Sequence, residues 1–288
     1  MIELSQLDEM IKRALSEDIG TGDITSEATI PAELTGEATL KAKDNGVVCG
    51  LPVAQRVFAL VDSRIVFEPL VKEGERINRG QLIARVTGPA RGLLMAERVA
   101  LNFVQRLSGI ATRTQAMVEL IRYYNARITD TRKTTPGLRL LEKYAVRIGG
   151  GSNHRFGLYD AVLIKDNHIA VAGGIKSAVA AARQRAGHTV KVEVEVETLE
   201  QVTEALESGA DIIMLDNMAP ETMRKSVEMI GDRAITEASG GITEANIAEV
   251  AKTGVDYISL GCLTHSIKAL DISMNITTSP KAVSTATI

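Results

Sequence analysis

Between about Leu34 and Pro89 the chain alternates short runs of Val, Ile and Leu with Gly-containing breaks. Gly36–Lys43, Val47–Gly50, Arg64–Leu70 and Leu82–Val86 read as strands, with turns at Glu73-Gly74-Glu75 and Arg79-Gly80-Gln81. The region is expected to be a small β-rich domain. Ahead of it, Leu4, Leu7, Met10, Ile11 and Leu15 fall at helical spacing. Behind it, Ala96–Tyr124 reads as one or two long helices, broken or bent near Ser108-Gly109.

From Ala126 onward short apolar runs alternate with amphipathic stretches. Strands are expected at Arg127–Asp130, Ala161–Ile164, Val190–Val196, Asp211–Leu215, Ala234–Glu237 and Val255–Leu260. Helices are expected at Leu138–Arg147, Ile175–Arg185, Leu199–Glu207, Pro220–Ile230 and Glu244–Lys252. This order implies parallel strands joined by helical crossovers. Nearly every strand ends in a reactive or phosphate-friendly group: Asp130/Arg132/Lys133, Lys165/Asp166, Glu195, Asp216, Ser239-Gly240-Gly241 and Gly261. That is the top face of a (β/α) barrel, where the loops after the strands build one pocket. Six strands are recognisable rather than eight, so a seventh is missed or the barrel is incomplete. The small, polar tail Ser279–Ile288 reads as frayed.

Composition narrows the partners. The 288 residues are 45% hydrophobic and 24% charged, enough for one large domain or a medium and a small one. A net charge of −3 points to neither nucleic acid nor membrane, so any affinity for anions must be local. With no Trp and 3% aromatics, a base-stacking platform is not expected. The acidic amphipathic start is unlike a signal peptide, and no apolar run has membrane-spanning length. The two cysteines, Cys49 and Cys262, lie far apart and suit a reducing cytoplasm.

Local charge supplies what the whole chain lacks. Between Asp130 and His168 stand seven Lys or Arg against four acids, with His154. Arg139, Lys143 and Arg147, at i, i+4, i+8, are expected on the solvent face of a helix, whereas Arg132, Lys133 and Lys165 sit at strand ends. Arg matches a carboxylate with a planar fork and Lys offers a compact charge, so a substrate with two carboxylates and a phosphate would need such a set. Gly149-Gly150-Gly151 reads as a flap or connector carrying His154 and Arg155. Glu195 and Asp216 end successive strand units, and their hard oxygens suit Mg²⁺ shared with phosphates or, equally, ion pairs to Lys133 or Lys165. Glu193, Glu195 and Glu197 share one face of their strand, and spacing alone does not say which reaches the site. Ser239-Gly240-Gly241, with Thr243 placed to cap the next helix, and Gly261-Cys262 offer backbone N–H groups to a phosphate.

An ordered series of motifs then brings a family into view. Asp18–Thr25, Glu97–Phe103, Leu107–Thr112, Asp130–Gly137, Gly150–Arg155, Leu163–His168, Glu193–Val196, Leu215–Asn217, Glu237–Ile242 and Leu260–His265 together resemble the quinolinate phosphoribosyltransferases. The resemblance covers nearly the whole chain. It implies an N-terminal α/β sandwich domain (1–107), an irregular open (β/α) barrel of about six to seven strands (108–272), and a tail (273–288), for which packing back on the first domain is one option. It implies transfer of phosphoribosyl from phosphoribosyl pyrophosphate (PRPP) to quinolinate with decarboxylation, a step of NAD biosynthesis. It assigns Thr131, Arg132, Lys133, His154, Arg155 and Lys165 to substrate, with Arg98 entering from the partner in a homodimer or larger assembly. Glu195 and Asp216 would hold Mg²⁺ and the ribose hydroxyls, and Ser239, Gly240, Gly241, Gly261 and Cys262 the 5′-phosphate. Lys133, Glu195 and Asp216 would serve the chemistry itself. The residues alone leave open a Schiff-base lyase built on Lys165, a phosphoribosyltransferase for another aromatic acid, or a non-catalytic sensor.

Overall fold

A computed structural model describes residues 4–277; the tail Ser279–Ile288 lies outside them. The chain divides into two compact units. One takes in the residues up to 112, then 140–149 and the stretch from 267; the other takes in 113–139 and 150–266.

In the first unit, α1 (Leu4–Ile19) and α2 (Ile24–Thr29) precede β1 (Thr35–Ala42), β2 (Gly46–Val47), α3 (Leu51–Val61), β3 (Val66–Pro69), β4 (Arg76–Ile77) and β5 (Leu82–Pro89). β1 and β5 form the centre of an antiparallel four-stranded sheet with β3 on one edge. The other edge is a late strand, Ile272–Thr277, which runs antiparallel to β1. Alternation along β1 buries Ala38, Leu40 and Ala42, and the helices supply Leu7, Ile11, Val57 and Phe58 to the core. This is an α/β sandwich.

Two local readings are corrected here. Val47–Gly50 is not a strand beyond Val47, because Gly50 turns to φ +100 and starts α3, with Pro at its first turn. The buried Val53, Ala54, Val57 and Phe58 give α3 a helical stripe inside the region expected to be β-rich. The long helix α4 (Ala90–Leu120) begins earlier than expected and runs unbroken through Ser108-Gly109. Gly109 is there for close approach, since a Cβ would collide with the backbone of Lys268. Ser108 Oγ meanwhile accepts from Cys49 N at 2.9 Å, tying the helix to the start of α3.

The second unit carries β6 (Arg127–Thr129), β7 (Val162–Ile164), α6 (Asp166–Ala172), α7 (Ile175–Arg185), β8 (Val192–Val196), α8 (Leu199–Glu207), β9 (Ile212–Asp216), α9 (Pro220–Ile230), β10 (Ile235–Ser239), α10 (Ile247–Ala251), β11 (Tyr257–Ser259) and α11 (Cys262–His265). Its six strands are parallel, in the order β6-β11-β10-β9-β8-β7, so β6 and β7 are the open edges of an incomplete barrel. Beyond β6 the described pairing is a single bridge from Thr129 to Ser152, which is all that stands for a seventh strand. The short, exposed α6 has no apolar stripe and was not expected. α10 is shorter than Glu244–Lys252, and Thr243 does not cap it; the side chain of Asn246 instead accepts from Thr243 N at 2.7 Å.

α5 (Arg139–Ile148) departs most from expectation. From Leu140 it groups with the first unit rather than with the barrel. Arg147 is exposed as expected, but Glu142 and Lys143 are buried. The i, i+4, i+8 cation pattern therefore does not mark a solvent face. Glu142 Oε1 receives both Nε and Nη2 of Arg106, at 2.9 and 2.6 Å. Next to it, Tyr144 donates its hydroxyl to Glu73 Oε1 at 2.9 Å. Burial, then the charge of Glu73, pushes the Tyr144 phenol up and keeps it a donor.

Glu73 also accepts from the N–H groups of Gly50 (2.6 Å) and Leu51 (3.0 Å), so a remote carboxylate caps α3. Glu73→Ala is expected to lower unfolding stability by about 1–3 kcal/mol, with Glu73→Gln losing less. Urea denaturation checks this, and an alanine variant as stable as the parent contradicts the capping role.

Candidate active site

The strand ends of the second unit hold the cations. Asp130, at the end of β6, is fully buried. Its Oδ1 accepts from His154 N at 2.8 Å and its Oδ2 from Asn153 Nδ2 at 2.6 Å. The Gly149–Gly151 segment thus leads into a loop pinned by a buried carboxylate rather than into a free flap. That pinning fixes Arg155, whose Nη1 donates to Ala161 O at 3.2 Å. Arg132 follows Asp130 by two residues, and its buried Nε has no hydrogen-bond partner. Burial disfavours the charge on Arg155, and the Arg132 guanidinium disfavours it further. Glu193 and Asp160 partly offset this, and Arg155 still ends below its ordinary value.

Arg139 is no bystander. Its guanidinium donates to Thr134 Oγ1, Phe156 O and Arg132 O at 2.9, 3.1 and 3.3 Å, bracing the Asp130–Thr134 segment against the His154 loop. Thr131 Oγ1 accepts from Lys133 N at 3.0 Å, giving it a turn-forming role. Lys133 is exposed, and its carbonyl accepts from Thr264 Oγ1 at 2.7 Å. A Cβ on Gly261 would press on the Lys133 side chain, so glycine there lets Lys133 pass over the loop after β11.

β8 and β10 line the interior at two depths, because period-two alternation sends every second residue to the same face. Glu195 lies nearer the strand end and pairs with Lys165 Nζ at 2.5 Å. Glu193 lies deeper and is buried, and Glu197 falls past the strand and is exposed. This places Glu195 among the strand-end groups. Asp216 ends β9, half-buried, with Oδ2 accepting from Asn217 at 2.7 Å. Each of these carboxylates has one oxygen engaged by a neighbour and one left over, a donor set of hard oxygens that fits Mg²⁺ shared with a ligand. Ser239 pairs in register with Asp216, and Gly240 and Gly241 follow with φ +85 and +62. Successive left-handed glycines present N–H groups in a concave array suited to phosphate. Gly261 and Cys262, both half-buried, open α11. Arg98 belongs to the first unit and is exposed on α4.

One group was missed. His154 Nε2 lies 3.3 Å from Glu193 Oε2 and 3.5 Å from Glu237 Oε1, both carboxylates buried. The ligating atoms fall within 4.8 Å of one another, close enough for a metal. The hydrogen bonds argue otherwise. Arg155 N donates to His154 Nδ1 at 2.7 Å, which leaves the ring proton on Nε2, facing the two acids. The group is a buried carboxyl pair beneath an imidazole donor. Burial, then the charge of Glu193, pushes Glu237 up to about 7, while His154 opposes this. The period-two relation of Glu237 to Ser239 was the available signal.

With the geometry in place, comparison with known proteins decides the family. The model of the quinolinate phosphoribosyl transferase N-terminal domain matches residues 23–108, and that of the C-terminal domain matches 110–275. The chain belongs to the quinolinate phosphoribosyltransferase family. A probable nicotinate-nucleotide pyrophosphorylase [carboxylating] of Bacillus subtilis is 51% identical over 278 residues, covering 96% of each chain. A mitochondrial quinolinate phosphoribosyltransferase [decarboxylating] of Nicotiana tabacum is 44% identical over 291 residues, covering 94% of this chain and 82% of its own. The crystal structure of NadC from Streptococcus pyogenes superposes with a TM-score of 0.94 at 45% identity, covering 97% of this chain and 99% of its own. Among the described residues of this family member, no helix is long and apolar enough to cross a membrane.

The Glu237 carboxyl yields a pH test. Its folded pKa lies above the ordinary 4.5, so the fold favours the neutral form. The associated stability is present below about 4.5 and drains as pH rises through about 7. Glu237→Gln mimics the neutral acid and should gain stability relative to the parent between pH 5 and 8, seen by denaturation at both values. A difference independent of pH contradicts this.

Proposed function

We propose that the barrel transfers the phosphoribosyl group of PRPP to quinolinate and releases pyrophosphate and CO₂, giving nicotinate mononucleotide for NAD biosynthesis. The observation that carries the reading is the Arg132–Arg155 pair, with a buried, unpartnered Arg132 Nε and an Arg155 disfavoured by burial and by its neighbour. A dianion relieves both. Arg132, Arg155, Lys165, His154 and Lys133 bind the two carboxylates and the PRPP phosphates, with Thr131 shaping the Lys133 turn. Ser239, Gly240, Gly241, Gly261 and Cys262 receive the 5′-phosphate.

Glu195 and Asp216 hold the ribose hydroxyls and would hold Mg²⁺, which when bound neutralises charge on the diphosphate. As the C1–O bond to pyrophosphate breaks, positive charge builds on the ribosyl carbon and these carboxylates stabilise it. The pyridine nitrogen forms the new bond to C1. Its positive charge then supports the electron pair left at C2 when CO₂ departs, and C2 takes up a proton. Lys133, next to Arg132, guides the departing carboxylate. The protein's part is positioning and electrostatics, with no covalent intermediate. Lys165 supports this over a Schiff base, since its ammonium is engaged by Glu195.

The direct assay supplies PRPP, Mg²⁺ and quinolinate and looks for CO₂, pyrophosphate and nicotinate mononucleotide. Product from nicotinate without CO₂ contradicts the reading. Arg132→Ala is expected to weaken quinolinate binding by about 1.5–3 kcal/mol, roughly 10- to 150-fold. Normal turnover and affinity in that variant would remove the clamp.

Arg98 completes the site from a second copy in a homodimer. Mixing Arg98→Ala with Asp216→Ala chains tests this, because a hybrid dimer then holds one intact site. Recovery of activity on mixing two inactive variants is the expected result. No recovery, with subunit exchange verified, means that Arg98 does not act across subunits.

A further inference from the structure

Among the described residues, Asn217 is alone in being a non-glycine residue with positive φ, at +52°. Glycine adopts that conformation without steric penalty, while Asn tolerates it less well. A side chain retained there calls for a reason in what it touches.

It touches both halves of the ribose-phosphate site. Its Nδ2 donates to Asp216 Oδ2 at 2.7 Å, and its backbone N–H donates to Ser239 O at 2.9 Å. Its side-chain amide lies against Gly240 so closely that a Cβ there would collide with it. Gly240 is itself left-handed, so the two residues form a matched pair of turns at the ends of β9 and β10. In the motif Leu215-Asp-Asn217 the family resemblance gives a role to Asp216 and none to the asparagine.

We propose that Asn217 is a positioning residue that locks the Asp216 carboxylate to the glycine loop after β10, so that recognition of the ribose 5′-phosphate depends on it. With its donor on one Asp216 oxygen, the other oxygen keeps a single direction. With its amide against Gly240, the loop N–H groups keep their spacing from that carboxylate. Neighbouring hydrogen-bond partners of this kind commonly set affinity by about 10- to 100-fold. The inference rests on the reading that Asp216 and Ser239–Gly241 meet the ribose phosphate.

Asn217→Gly is the informative variant, because it keeps the left-handed backbone and removes only the side chain. Its melting temperature should match or exceed that of the parent. KM for PRPP should rise by about 10- to 100-fold, and affinity for nicotinate mononucleotide by calorimetry should fall by a similar factor. KM for quinolinate should stay within about twofold, well below that range. Asn217→Asp keeps the shape but replaces the donor with an acceptor, and should lose as much. Parental PRPP and mononucleotide values in Asn217→Gly, while Asp216→Asn has lost both, would show that Asn217 only forms a turn. Equal losses for quinolinate and PRPP would likewise overturn the inference. If Asp216→Asn also behaves as the parent, it is the underlying assignment of Asp216 that fails.

Discussion

Arg132 and Arg155 repel one another, and the barrel holds them together regardless. Much of the polar structure around them follows from that constraint. Asp130 gives both of its oxygens to the loop that carries His154 and Arg155, so that loop cannot swing away. Arg139 ties the Arg132 segment to the same loop through three hydrogen bonds. The two guanidinium segments are thus tied into one braced framework. Preorganised charge of this kind is worth most in a partly dry cavity.

The interior is layered. Period-two alternation along β8 and β10 sets Glu195 and Ser239 nearer the strand ends, with Glu193 and Glu237 one step below. The groups proposed to meet a ligand lie in the upper layer. The lower layer, with His154 against it, holds the buried Glu193 and Glu237, and burial followed by the charge of Glu193 pushes Glu237 toward neutrality. Lys165 connects with the upper layer through Glu195.

The barrel was largely legible because its periodicities are local. α7, α8 and α9 begin and end where expected, helped by Thr198 as a cap and Pro220 at a first turn. The strand-end chemistry was legible for the same reason, since a residue closing an apolar run must sit at a strand end. What failed depended on tertiary packing. Gly109 looked like a break because nothing local shows the Lys268 backbone lying against it. Lys143 looked solvated because nothing local announces that its turn of helix is buried, with the neighbouring Glu142 paired to Arg106. The choice between Glu193 and Glu195 needed the depth of each along β8. The role of Asn217 hangs on a backbone angle that its sequence neighbours do not announce.

The central claim is that the strand-end cations await two carboxylates rather than one. Thermal denaturation of the protein in matched concentrations of quinolinate and nicotinate tests it most directly, since at equal concentration the ligand that binds the folded state more tightly raises the midpoint more. The account predicts a concentration-dependent rise with quinolinate and a much smaller one with nicotinate. Equal rises for the two acids would contradict it.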